Sequence, residues 1–464
     1  MKKIFTTGLL SLLAVAAAGA VEPSITLLEG GIFYGGFMPE DISPNGKYVC
    51  GSTFGAQAGF LSEWAKQDTK VFLEEDGSSY LDYGCDLPFI TNAGVAIGFD
   101  DIGAIKVDFN SKSIERLNLS DLSINVAAGQ PDQMTEDGSI IVGLAYYARK
   151  INSDFGGEQA KHTIDNQAAY WENGVCHLLP VPTEEELGYY YLGSRARCIS
   201  ADGSVIMGSI TDRLATNPMV LWFRQPDGTY KLDPVCMKYF SDIKYNDGTY
   251  KEFVMFRADA MNSNGTKVAL SVRRAPEYGK PITDGHHLAI YDIPTGELTV
   301  IDINGENGID PETWLQVYFN GISDNGTVVG SYENSVGGYS GFILYPDDMQ
   351  PRNLKDVFHE IGELEDFDDI GSNSVSSISA DGRYVAGMGW TIDLQYNTGY
   401  YLGYVLDTGT ANSDGPVEDS VEAIEAAPEG EPQYYNLQGI RLDAPDKGVN
   451  IVVYPNGTTR KIVL

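Results

Sequence analysis

Between about residue 25 and residue 406 the apolar residues fall in short runs separated by polar, glycine-bearing turns. The 3.6-residue spacing of amphipathic helices is nearly absent, so the pattern predicts strands. One phrase recurs: an apolar residue, then Ser, Thr or Asn, one residue, Asp, Asn or Ala, Gly, and an apolar run ending in a small residue. It reads Ile42-Ser43-Pro44-Asn45-Gly46-Lys47-Tyr48-Val49-Cys50-Gly51 at its first appearance. Further copies span Ile90 to Gly98, Met134 to Gly143, Ile199 to Gly208, Met261 to Ser271, Ile322 to Gly330 and Ile378 to Gly387. The seven turn glycines, Gly46, Gly94, Gly138, Gly203, Gly265, Gly326 and Gly382, lie 44 to 65 residues apart.

The phrase has the chemistry of a β-hairpin. Asn-Gly and Asp-Gly supply the positive φ angles of a tight turn, and Ser or Asn two residues earlier can hydrogen-bond the turn backbone. Recurrence at the same place in each unit makes Asp137, Asp202 and Asp381 turn residues rather than a carboxylate site. Two more strand-like pieces follow most copies, such as Gly59 to Trp64 then Val71 to Leu73, or Met219 to Trp222 then Tyr230 to Leu232. Four short strands in a unit of this length make a propeller blade. The expected fold is all-β: a single β-propeller of seven four-stranded blades with a short C-terminal β appendage. The last unit stops near Leu406 without a fourth strand, and Ile25-Thr26-Leu27-Leu28 offers a spare one. Pairing the two would close the ring and leave no open edge.

Gly321-Ile322-Ser323-Asp324-Asn325-Gly326-Thr327-Val328-Val329-Gly330, with Gly341-Phe342-Ile343-Leu344 and Leu354, resembles the extracellular HAF-repeat family. Its repeats carry a G-I-N-x-x-G-x-V-V-G hairpin, an A-F-L-W-like strand and a final leucine. The likeness covers most of residues 25 to 406, and it implies a propeller fold and export rather than an activity. Ile42 to Gly51 and Ile378 to Gly387 also resemble TolB-type propeller repeats. The sialidase Asp-box, WD and Kelch signatures are absent.

The ends of the chain change the picture outside this region. Met1-Lys2-Lys3, an apolar run from Thr7 to Ala18 and the closing Ala18-Gly19-Ala20 read as a signal peptide over residues 1–20. Secretion or surface display is expected, with the periplasm as the alternative. No later run is apolar enough for a transmembrane span. The propeller then occupies 21–410, and an acidic stretch without Lys or Arg, 411–432, reads as a solvated linker. In the tail, 433–464, Tyr435 to Arg441, Lys447 to Val453 and Arg460 to Leu464 resemble a type IX secretion sorting domain, with Asn450 where that family has an aromatic. The tail is expected to sort or anchor the chain at a surface.

The chain holds 31 Lys and Arg against 65 Asp and Glu; without Lys2 and Lys3 the net charge is −36. Such a field repels phosphate backbones, so no nucleic-acid partner is expected. Five cysteines, Cys50, Cys85, Cys176, Cys198 and Cys236, form no C-x-x-C pair, so no metal–thiolate site is expected. One or two disulfides are open to them in an oxidising compartment, with Cys50 reading as a buried thiol. The five histidines are scattered, neither G-x-S-x-G nor H-E-x-x-H occurs, and no cofactor is implied. The acidic segment Glu365 to Asp369 lacks the spacing of a calcium loop.

Spacing alone separates the two faces of the ring. Turns 1–2 and 3–4 of each blade are tight, while loops 2–3 and 4–1 are long, including Tyr146 to Asn166, Asp233 to Phe256 and Val357 to Ser374. Long loops gathered on one face mark it as functional. They are rich in aromatics such as Trp314, Tyr339 and Trp390, which can stack on sugars or anchor a protein. Residues two and four before each phrase share one side of the inner strand: Asp86, Asp132, Arg195, Arg197, Arg257, Asp259, Tyr318 and Asn320 should ring the channel mouth. The ligand-binding candidates are these eight with Trp314 and Trp390; none is assigned a catalytic or metal-binding role. The expected function is a non-catalytic binding module for a glycan or protein. The alternatives are a carbohydrate-active enzyme using carboxylates at the channel mouth, and a structural surface protein.

Overall fold

The computed structural model of the chain describes residues 23–28, 36–54, 58–72, 85–100, 102–149, 163–182, 191–212, 219–233, 255–273, 287–301, 317–333, 339–346, 351–361, 372–393, 398–409, 433–435, 441–442, 449–453 and 459–463. The chain divides into two compact units, Met1–Ser413 and Asp414–Leu464. The first is a β-propeller. Among the described residues its strands form seven successive four-stranded antiparallel units, the third and fourth joined into one eight-stranded sheet. The inner strands are Phe37–Ile42, Asp86–Ile90, Val126–Met134, Tyr191–Ile199, Met255–Met261, Val317–Ile322 and Ser372–Ile378, here numbered as blades 1 to 7. Each inner strand adjoins the next, and that of blade 7 adjoins that of blade 1. A single parallel bridge, Asn166 to Gly193, also links blades 3 and 4.

The recurring phrase builds the turn between the first two strands of each blade. In blade 1 the Gly46 N–H donates to Ser43 O at 2.7 Å, and the Ser43 hydroxyl bonds Asn45 Oδ1 at 2.8 Å and accepts from Tyr48 N at 2.9 Å. Ser200 and Ser379 bond Asp202 and Asp381 at 2.7 and 2.6 Å in the same way. All seven turn glycines have φ between 68° and 94°, where a Cβ is strained. The Asn or Asp before them does not share that conformation, contrary to the sequence expectation. Its side chain is spent on the Ser or Thr hydroxyl, and the glycine alone reverses the chain. By contrast the 3–4 turn at Asn173-Gly174 takes positive φ at both residues.

These turns also hold hands around the ring. Asn45 N donates to Asn92 Oδ1 at 2.6 Å, and Asn92 N to Glu136 Oε1 at 2.5 Å. Glu136 N donates to Ala201 O, Ala201 N to Ser263 O, and Asn264 N to Asp324 Oδ1. Asp324 N donates to Ala380 O at 2.7 Å, and Ala380 N returns to Pro44 O at 2.8 Å. The seven links form a closed circle on the tight-turn face.

Blade 7 is completed from the other end of the chain. Ser24–Leu27 pairs antiparallel with Thr398–Asp407, Ser24 opposite Asp407 and Leu27 opposite Tyr404. Asp407 is also the buried partner of Arg383, whose Nε and Nη2 donate to its two oxygens at 2.8 and 2.7 Å. The core runs between blades as Val, Ile, Leu and aromatic side chains, with Trp222, Phe60, Phe319 and Phe342 fully buried. One helix, α1 (Leu354–Ile361), follows the short last strand of blade 6, where the sequence reading has an irregular loop; Leu354 and Val357 anchor it in the core. In the second unit Gln433–Tyr435 lies between Arg441–Leu442 and Val449–Val453, and Thr459–Val463 pairs with the latter.

Replacing Asp407 by Ala should leave a buried guanidinium beside the closing strand and cost about 3–5 kcal/mol. A urea-unfolding midpoint unchanged in that variant would show that the pair contributes nothing to closure.

Candidate functional site

Each inner strand carries a register shift close before its tight turn, as between Pro39 and Asp41, Pro131 and Gln133, Ala196 and Cys198, or Phe319 and Gly321. Such a β-bulge extrudes one residue from the ladder. The extruded residues are Glu40, Pro88, Asp132, Arg197, Asp259, Asn320 and Ser376, and all seven line a central cavity of about 180 Å³. In six blades the glycine ending the phrase sits across the ladder from the bulge; in blade 5 Leu270 stands there. A Cβ on Gly51 would strike the Met38 carbonyl, and one on Gly143 would strike that of Gln130. The phrase therefore encodes both the turn and the bulge that turns a polar residue into the channel.

Most of that polarity is consumed between blades. Asp41 accepts from Ser377 Oγ of blade 7 at 2.6 Å and from Ile90 N of blade 2 at 3.1 Å, and burial lifts its carboxyl from 3.8 to about 7. Arg195 grips Asp132 with two donors, Nε at 2.7 Å from Oδ2 and Nη2 on Oδ1. Burial nonetheless raises Asp132, with Arg195 opposing it. Asn320 donates to the Val375 carbonyl of blade 7. Glu40 differs. It accepts from Ser52 Oγ at 3.1 Å and is hydrogen-bonded to Asp86 of blade 2. Burial, then the hydrogen bond and charge of Asp86, push Glu40 well above the usual carboxylate range.

Glu40 also lines a second, larger cavity of about 640 Å³, between blades 6, 7 and 1. Its wall includes Tyr318, Tyr339, Trp390 and Tyr401, with Asn320, Ser374, Ser376 and Met388 among them. Tyr339 opens a third strand, while Trp390 lies toward the far end of the second strand from the tight turn, which puts the cleft on the long-loop side. The rings touch edge to face: Trp390 and Tyr401 have centroids 4.9 Å apart, and Phe54, itself 48% exposed, lies 5.0 Å from Tyr401. Tyr318 and Tyr339 form a second pair at 6.3 Å.

No family model matches the chain, and no curated protein matches it. Among solved structures it is similar to an oligogalacturonate lyase from Vibrio parahaemolyticus (12% identity, TM-score 0.46, covering 83% of this chain and 91% of that one). It is also similar to the Cps50 (Swd1) β-propeller domain of Myceliophteria thermophila (10%, 0.42, 82% and 99%). A third is a putative TolB from Agrobacterium tumefaciens (10%, 0.33, 72% and 89%). At these identities and scores the comparisons assign this chain neither an activity nor a ligand.

The structure gathers the sequence candidates into two groups. Asp132, Arg197, Asp259 and Asn320, two residues before their phrases, are bulge residues at the central cavity. Asp86, Arg195 and Tyr318, four before, are not on its wall, because the bulge breaks the two-residue alternation; they contact Glu40, pair with Asp132, and line the cleft. Trp390 joins Tyr318 and Asn320 there. Trp314 and the Arg257 side chain lie outside the described residues, as do the Glu365 to Asp369 segment, His162, His286 and Cys236. Glu40 and Tyr401 were missed, although Glu40 stands two before Ile42, in the same place as Asp132 before Met134. Among the described residues no group of three or more His, Cys, Asp and Glu is placed to hold a metal, and no helix is long and apolar enough to cross a membrane. Cys50, Cys85, Cys176 and Cys198 are free thiols. Cys50 is fully buried, its Sγ 3.0 Å from Leu87 O.

Two outcomes follow from the bulges. Gly143→Ala should destabilise by about 1–3 kcal/mol, since backbone must move to admit the methyl group; a melting temperature equal to the parent's would disprove the close-approach role. Asp41 is raised in the folded state, so its ionisation is cheaper unfolded. Its contribution to stability should fall as pH rises from about 4 to about 7. Denaturant titrations across that window should show a shallower slope for Asp41→Asn than for the parent.

Proposed function

We propose that this chain is an exported, non-catalytic binding module that recognises a glycan or protein through its long-loop face, with the aromatic cleft as the seat of recognition. The observation that carries this reading is the cleft itself: four aromatic side chains around a concavity of about 640 Å³, interspersed with an amide, hydroxyls and one carboxyl. Apolar walls with a few oriented polar groups are the usual make-up of a ligand site. Tyr and Trp supply large contact area at little entropic cost, with a polar end to orient a partner.

Export and placement at a surface rest on the leader-like residues 1–20 and on the sorting-domain resemblance of the tail. The HAF-like repeats agree with an extracellular setting, and the tail's four short strands are of a size for a sorting module.

The carbohydrate-active alternative draws on the acids at the channel mouth. Glycosidase carboxyl groups stand about 5–9.5 Å apart so that sugar, and in one class water, fits between them. Asp132 and Asp41 are instead engaged by Arg195, Ser377 and the Ile90 N–H, which favours binding.

The test is a panel of polysaccharides and glycoproteins probed with the purified protein, with released sugars assayed in the same wells. Retention without release is expected, weakened about tenfold or more by Trp390→Ala, in keeping with the loss of one buried aromatic anchor. Release of sugars would make the protein an enzyme, and retention indifferent to Trp390→Ala and Tyr401→Ala would move the site off the cleft.

A further inference from the structure

We propose that the cleft between blades 6, 7 and 1 takes an organic cation, an ammonium group presented on its ligand, held against the Tyr and Trp rings and beside the Glu40 carboxyl. This deepens the binding reading above and rests on it. Three features of the cleft carry it. Its wall has four electron-rich rings, Tyr318, Tyr339, Trp390 and Tyr401, the faces of Trp390 and Tyr401 lying at 69° and those of Tyr318 and Tyr339 at 58° to each other. A cation over such faces is attracted by the ring quadrupole, most strongly by Trp and where water is thinned.

The second feature is charge. Among the described residues no Lys, Arg or His lines the cavity, and the acid on its wall is Glu40. The charges that bear most on Glu40 are themselves acids, Asp86 of blade 2 and Asp41 on its own strand. Elsewhere the channel answers its carboxylates with protein donors, Asp132 with Arg195 and Asp41 with Ser377 and Ile90. Glu40 instead stands beside a second acid, Asp86, with its carboxyl on the cleft wall. A ligand cation at the cleft can serve as the donor there.

The third feature is position. The cleft lies on the long-loop side of a chain of net charge −34, whose field draws cations toward it. A neutral sugar could use the same rings, but it would draw no benefit from the neighbouring acids Glu40 and Asp86.

The ammonium can come from a lysine side chain of a protein or from an amino sugar, and the probes separate the two. Binding of Nα-acetyl-lysine amide, its trimethylated form and deacetylated chito-oligosaccharides to the purified full chain would be followed by tryptophan fluorescence and isothermal calorimetry. N-acetylated chito-oligosaccharides, cello-oligosaccharides and Nα,Nε-diacetyl-lysine amide serve as neutral counterparts. The cationic member of each pair should bind at least about tenfold tighter than its neutral counterpart, consistent with a partly desolvated cation over aromatic rings. Tighter lysine forms point to a protein partner, and tighter chito-oligosaccharides to a glycan. Glu40→Gln, which keeps a group able to bond Ser52 and Asp86, should abolish most of that preference while leaving the melting temperature near the parent's. Trp390→Ala, at a half-buried site on the cavity wall, should weaken every probe. Equal affinity for charged and neutral probes, or a preference untouched by Glu40→Gln in a folded variant, overturns the cation assignment. If neutral glycans then bind and lose affinity on Trp390→Ala, the binding reading stands without it; if the panel of glycans and glycoproteins is also not retained, both fail.

Discussion

A ring of sheets is stable only if its first and last members meet, and this propeller depends on that closure at two levels. The N-terminal strand Ser24–Leu27 supplies the outer edge of blade 7. The seven tight turns pass a hydrogen bond from each blade to the next until Ala380 N reaches Pro44 O. An open ring would expose two inter-blade faces lined by Phe60, Val49, Tyr384 and Val405, at a cost of the order of 1.5–3 kcal/mol for each large apolar side chain. Closure is thus driven by apolar burial, while the turn bonds satisfy backbone groups that the curvature would otherwise orphan. The Arg383–Asp407 pair sits where both levels meet, on the turn of blade 7 and on the strand that receives the N-terminus.

The same curvature explains the site. Inner strands crowd around a narrow axis, and a bulge bends each one while turning one extra residue inward. Glycine at the end of the second strand eases it in six blades: without a Cβ at Gly51 or Gly143, the inner backbone can come within contact of the ladder, whereas blade 5 makes its bulge opposite Leu270. The residue so extruded is free to vary, since it no longer serves the ladder. It reads Glu, Pro, Asp, Arg, Asp, Asn and Ser around the ring. Repetition fixes the scaffold and the variable position carries the chemistry.

That division sets what could be read in the sequence. The turns, the blade order and the missing strand of blade 7 were legible because they repeat, and because Gly at positive φ and apolar alternation each have a direct physical cause. The polar ring was half legible. Counting by twos from Met134 reaches Asp132 correctly, but carries on to Gln130, on the wrong side of a bulge that periodicity does not register. Glu40 was within reach, since Ile42 follows it as Met134 follows Asp132. Helix α1 escaped notice because it is short and its two core anchors, Leu354 and Val357, give too little period to detect. The cleft was not legible at all as an assembly: Tyr318, Trp390 and Glu40 are separated by up to 350 residues in sequence, and only ring closure makes blade 1 a neighbour of blade 7.

Closure also bears on whether the acids act on a ligand or merely on one another. Glu40 and Asp86 belong to adjacent blades, so the distance between them is set by blade packing rather than by either side chain. Gly59 packs against Leu87 and Cys85 across the same boundary, with no space for a Cβ, and Cys50 reaches the Leu87 carbonyl. Separating the two carboxyls enough to admit a sugar ring would require these contacts to open, at the cost of the apolar burial that holds blades 1 and 2 together. The two acids are therefore kept as neighbours by blade packing, with Glu40 on the cleft wall. Blade packing thus sets both the spacing of these acids and their place beside the aromatic wall of the cleft, which neither strand encodes alone.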